Sequence, residues 1–190
     1  MTRGRCVVLT LLAFTTFLAR AKEVAPFRAD LVVRWGQGAG SDVFRDELAR
    51  AVAARLATGC FAGVTIADTT AADSDAELVY AIVLSDVFDQ TRFDDTIAGA
   101  LNPGEPANEL RRVAYFEITA DATLSARANG AIVHRKHLVA RASRRPIYFG
   151  EDPQAYARDE ATRDVVDTLA RSLGCGGAKL TRKIREALPR

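Results

Sequence analysis

Few residues in this 190-residue chain are of a type and spacing that could do chemistry. The two histidines, His134 and His137, stand three apart in a segment that reads as a strand. An odd spacing on a strand turns their side chains to opposite faces, so they cannot share a metal or a substrate. Asp121 can orient His137, but no serine or cysteine is placed to complete a nucleophilic triad. Asp86, Asp89, Asp94 and Asp95 are dense enough to consider a bound cation. They lack the central glycine and closing glutamate of a calcium loop, and a solvated strand end and loop accounts for them. Gly36-x-Gly38-x-Gly40-Ser41 falls between a strand and a helix. Its spacing is not the dinucleotide fingerprint, and no P-loop lysine follows, so a turn is the plainer reading. The expectation is therefore a protein that is not an enzyme and carries no metal or cofactor.

Basic residues say more. Arg127, Arg135, Lys136, Arg141, Arg144 and Arg145 cluster on a hairpin and its exit. Lys136 and His134 fall on the otherwise apolar face near the hairpin tip, where the sheet is expected to run past its helical cover. Cations beside apolar surface suit a lipid or other amphipathic anion, with arginine and lysine holding phosphates. The same six residues also read as ordinary solvated charges paired across strands. Of the three cysteines, Cys60 and Cys175 remain once Cys6 is set aside with the first segment. An even number in an oxidising compartment reads as a disulfide. It would close a long loop, worth roughly 4–5 kcal/mol in the chain-entropy model. The alternative is two unrelated buried thiols. Neither cysteine has a second cysteine or histidine at metal-ligand spacing.

The first segment, 1–21, has the three parts of a secretory signal. Arg3 and Arg5 precede an uncharged, mostly apolar run from Cys6 to Ala19, and Ala19-Arg20-Ala21 offers small residues for cleavage before Lys22. The run is shorter than the roughly 20 residues that a spanning helix needs. Export to the periplasm is expected. The whole chain has a formal net charge of +2, from 26 basic and 24 acidic residues. Arg3, Arg5 and Arg20 leave with the signal, so 23 basic residues remain against 24 acidic. No basic excess is left to hold nucleic acid.

The elements follow from periodicity. Ala29 to Trp35 reads as a strand. Phe44, Leu48, Val52 and Leu56 form one stripe of a helix that Ser41 or Asp42 caps and Gly59 ends. Gly63 to Ala67 and Leu78 to Phe88 read as strands, the second central. A long loop follows, around Asn102-Pro103-Gly104-Glu105-Pro106. From Phe116 to Ser125 apolar and polar residues alternate, and Asn129-Gly130 signals a hairpin. A two-residue turn would set Arg135 and His137 against Leu124 and Ala122. A three-residue loop, Ala128-Asn129-Gly130, pairs Ile118 with Ala140, Ala120 with Leu138, Glu117 with Arg141 and Asp121 with His137. Opposite charges meet in the second register, so it is preferred. After Pro153 a second helix places Tyr156, Ala161, Val165, Leu169 and Leu173 on one stripe, and a short basic helix closes the chain.

The predicted architecture is an α+β two-layer sandwich in the order β-α-β-β-β-β-α, with two helices on one face of a mostly antiparallel sheet. Residues 22–177 form the domain and 178–190 the basic tail. Helices lying parallel would bring Cys60 and Cys175, each just past a helix, to the same end.

This arrangement resembles the lipopolysaccharide-assembly lipoproteins (LptE) of the outer membrane. The similarity is clearest from Phe116 to Leu173, where a strand ends RASRRPIYFGEDPQAYARDEA. Tyr148, Tyr156, Ala157, Asp159, Glu160 and Ala161 match the family's aromatic and alanine/acidic helix start. The chain departs from the family at Lys22, where the lipid-bearing cysteine would stand. The resemblance implies a non-catalytic partner of an LptD-like outer-membrane β-barrel that inserts lipopolysaccharide, peripherally bound to the membrane. Runners-up are an auxiliary component of a lipid-trafficking ABC transporter and an unrelated secreted binding protein.

Overall fold

The computed structural model describes residues 25–36, 40–68, 73–93, 112–145, 152–174 and 177–189. The expected signal segment 1–21, Gly38, Asp94, Asp95, the expected loop around 102–106, Tyr148 and Cys175 lie outside them.

β1 (Ala25–Trp35) buries Leu31, Val32 and Val33 and feeds α1 (Asp42–Gly59). Ser41 caps this helix, its hydroxyl oxygen accepting the Phe44 N–H at 3.4 Å. Phe44, Leu48, Val52 and Leu56 are all buried, the stripe that their spacing predicts. β2 (Phe61–Ile66) returns parallel to β1. β3 (Leu78–Phe93) lies on the other side of β1, also parallel. β4 (Arg112–Ala126) and β5 (Ile132–Arg144) complete the sheet in the order β2-β1-β3-β4-β5. The longest ladders, β3 with β4 and β4 with β5, are antiparallel. The fold is α+β in the expected element order, with β3 central.

β3 runs five residues beyond the expected Phe88. A bulge between Ser85 and Phe88 makes this possible: Asp86 takes φ 49°, a left-handed conformation that a short polar side chain tolerates. The extra residue switches the inward face of the strand. Before the bulge Leu78, Tyr80, Ile82 and Leu84 are buried; after it Asp89 stands opposite buried Phe116.

The β4–β5 hairpin has the preferred register: Ile118 pairs with Ala140, Ala120 with Leu138, Glu117 with Arg141 and Asp121 with His137. Its tip differs from the expected three-residue loop. A shift between Leu124 and Ser125 lets Ala126 N–H donate to Ala131 O, which leaves Arg127 to Gly130 as the loop. Arg127 is drawn away because its own N–H donates to Glu77 O, beside β3. Asn129 Oδ1 accepts the Ala131 N–H, and Gly130 holds φ 67°.

α2 (Pro153–Ser172) starts on Asp152, whose carboxylate accepts the Gln154 and Ala155 N–H groups at 3.0 Å. Its buried stripe is Ala157, Ala161, Val165 and Leu169. Tyr156, expected on that stripe, is exposed, because the four-residue repeat begins one position later. Alanines here let α2 lie close against α1 and β4–β5. α3 (Gly177–Ala187) seats Ile184 in the core and leans Leu180 and Leu188 on it. α1 and α2 run the same way, so Leu56, Phe61, Leu173 and Gly174 gather at one end.

Candidate functional site

The six predicted basic residues do not converge. Arg127 faces Asp30, which is 2% exposed on β1; the guanidinium pairs with that carboxylate, and Arg127 Nε donates to Ala76 O at 2.9 Å. Its charge is consumed inside the fold. Lys136 lies on the helix-covered face, where its ammonium donates to the Ser172 carbonyl at the C-terminus of α2, a favourable end for a cation. The tip is not bare as expected, because α3 covers it. Arg144 pairs with Asp164 of α2. Arg145 sits past the end of β5. Only Arg135 and Arg141 stand exposed on the helix-free face of the sheet, opposite Thr123 and Glu117.

That helix-free face has its own order. Across the strands run Arg34, Val83, Asp121 and His137 in one row and Val32, Ala81, Thr123 and Arg135 in the next. Asp121 Oδ1 and His137 Nδ1 are 2.7 Å apart, and both side chains are exposed. Val139, one row on, is 55% exposed beside Thr119. The arginines stand at the ends of these rows, Arg34 on β1 and Arg135 on β5, with half-buried Ala81, Val83 and Thr123 between them and Val32 buried, on a face that no described helix covers.

Two cavities occupy opposite ends of the helical layer. The larger, about 540 Å³, lies where Trp35, the start of α1, the β3 bulge and the second turn of α2 meet. Its floor is aromatic. The Phe44 ring stands 6.0 Å from Trp35 and 5.4 Å from Phe116, centroid to centroid. Gly40 must be glycine here, since any Cβ would fall 2.0 Å from the Trp35 indole. The indole N–H is buried and meets no acceptor among the described residues. Two rim arginines are paired, Arg158 with Asp89 at 3.3 Å and Arg163 with Glu160 at 2.8 Å, while Glu47 and Asp159 also line the cleft. Sequence reasoning missed this cleft, because its aromatics come from three distant segments; the Gly40-Ser41 turn was the one local signal.

The smaller cavity, about 230 Å³, is lined by His134 of β5 and by Lys179, Leu180 and Lys183 of α3. The His134 imidazole is pushed below its ordinary pKa by burial and then by the charges of Lys183 and Lys136.

Cys60 is disulfide-bonded, and Cys6 and Cys175 both lie outside the described residues. Among the described residues no three His, Cys, Asp or Glu gather to hold a metal ion. No described helix is long and apolar enough to cross a membrane.

No protein-family model and no curated protein sequence matches the chain. Solved structures similar to it include a minor lipoprotein of Acinetobacter baumannii, with 16% identity and a TM-score of 0.42 over 88% of this chain and 97% of that one. The PelC dodecamer of Paraburkholderia phytofirmans is similar with 14% identity and a TM-score of 0.42, over 82% and 93% of the two chains. Rare lipoprotein B of Shewanella oneidensis has 12% identity and a TM-score of 0.38, over 76% and 89%.

Proposed function

We propose that the chain is a non-catalytic accessory protein of the cell envelope, LptE-like, which docks on an LptD-like outer-membrane β-barrel and assists lipopolysaccharide transport and assembly. It works in the periplasm, peripherally bound to the outer membrane, after loss of residues 1–21. The observation that carries this reading is the helix-free face of the sheet. Arg34, Arg135, His137 and Arg141 surround Val83, Val139 and Thr123 there, with all three described helices on the other side. Aliphatic and arginine groups side by side on a broad surface fit a protein wall better than a small substrate. The partner of Cys60 in this reading is Cys175, since α2 delivers Leu173 and Gly174 to the end where α1 stops.

Affinity purification of the tagged chain from detergent-solubilised envelopes, with co-purifying chains identified by mass, tests the reading. A large β-barrel held by the wild type and released by Arg135→Glu with Arg141→Glu is the expected result. An inner-membrane transporter instead would make the chain an auxiliary ABC-transporter component. No stable partner would overturn both. The same preparation, digested without reduction, should yield the Cys60–Cys175 peptide.

A further inference from the structure

We propose that the cleft between β5 and α3 is an anion site that takes a phosphate group, with Lys179 and Lys183 as its charged walls and His134 as its floor. The site lies on the helix-covered side at the hairpin end. It stands whatever partner the open sheet face takes.

Spacing provides the first support. Lys179 and Lys183 are one helical turn apart, so both ammonium groups project from the same face of α3. Two like charges held side by side repel, and a protein usually tempers such a pair with a carboxylate. Here none lines the cavity, and among the described residues neither lysine has an ion-pair partner. The nearest acidic residue of the helix, Glu186, is engaged with Arg182 at 3.6 Å.

The cavity provides the second. Its volume of about 230 Å³ exceeds a bare phosphate and leaves room for a substituent. Leu180 forms an apolar wall for that substituent, and the imidazole supplies a ring N–H for a phosphate oxygen. Lys136, two residues along the same strand face, adds its charge to the field while its ammonium is held by Ser172 O. The imidazole is depressed first by burial and then by the charges of Lys183 and Lys136. A bound phosphate would relieve the lysine repulsion and return His134 towards its ordinary pKa.

A phosphate group can arrive free or on a lipid headgroup. Titration of the purified full chain with inorganic phosphate and with pyrophosphate, followed by the His134 imidazole resonances, tests the first source. Flotation with phosphatidylcholine vesicles, with and without phosphatidic acid, tests the second. Lys179→Gln with Lys183→Gln is the variant, and Arg45→Gln with Arg50→Gln, which removes the same charge from α1, is the control. Loss of ~10-fold in affinity per lysine is expected, the control being unchanged. The signature of direct contact is a His134 pKa that rises on binding. Loss confined to the soluble anions assigns the free source; loss confined to phosphatidic acid vesicles assigns the headgroup. Binding that survives in the lysine variant, or falls equally in the control, would overturn the site.

Discussion

Tyr80 shows how one residue joins two layers. It is buried on β3, and its hydroxyl donates to the Leu173 carbonyl at 3.0 Å, tying the sheet to the last turn of α2. Burial pushes the phenol from an ordinary 10.0 up to about 12. An acid whose folded pKa lies above its unfolded value contributes stability below the unfolded pKa and loses it as pH rises. The wild type should therefore lose stability between about pH 10 and pH 12 more steeply than Tyr80→Phe, as denaturant unfolding across that range would record. At neutral pH the variant should be weaker by about 1–2 kcal/mol, because the Leu173 carbonyl loses its partner. Lys136 teaches a related lesson. Its position beside apolar residues was legible in the sequence, but its partner was not. The Ser172 carbonyl belongs to a helix end 36 residues away, which only packing delivers.

Elements were legible where one physical pattern dominated. The α1 stripe and the β4–β5 register needed only a four-residue repeat and matched charges, and both are present. The β3 bulge was not legible, because an aspartate in a strand reads as an ending until its positive φ is seen. Tyr156 misled through size: an aromatic at helical spacing looks buried, yet alanines hold the close contact with α1. The hairpin loop depends on one backbone conformation. Gly130 has no heavy atom within 4 Å of an added Cβ, so the cost of Gly130→Ala is its left-handed φ alone. Thermal or denaturant unfolding should place it about 1 kcal/mol below the wild type. Gly63→Ala, which meets only Arg28 Cγ at 3.7 Å, should not be weakened.

The molecule as a whole joins a parallel β1-α1-β2 unit to an antiparallel β3-β4-β5 meander under one helical layer. This places the aromatic cleft at one end and the lysine cleft at the other, each assembled from segments that no local pattern links. The layer order was foreseeable from two amphipathic helices and an alternating strand; the clefts were not. β5 closes the sheet with cations on both of its faces, Arg135 and Arg141 on one and Lys136 on the other. A second copy aligning its own β5 alongside would set these charges against their equals a strand spacing away, about 4.8 Å. The edge is thus insulated against pairing with its own kind through the backbone. Sedimentation at rising concentration in low salt should show one species for the wild type, and a rising dimer fraction once all three charges are neutralised.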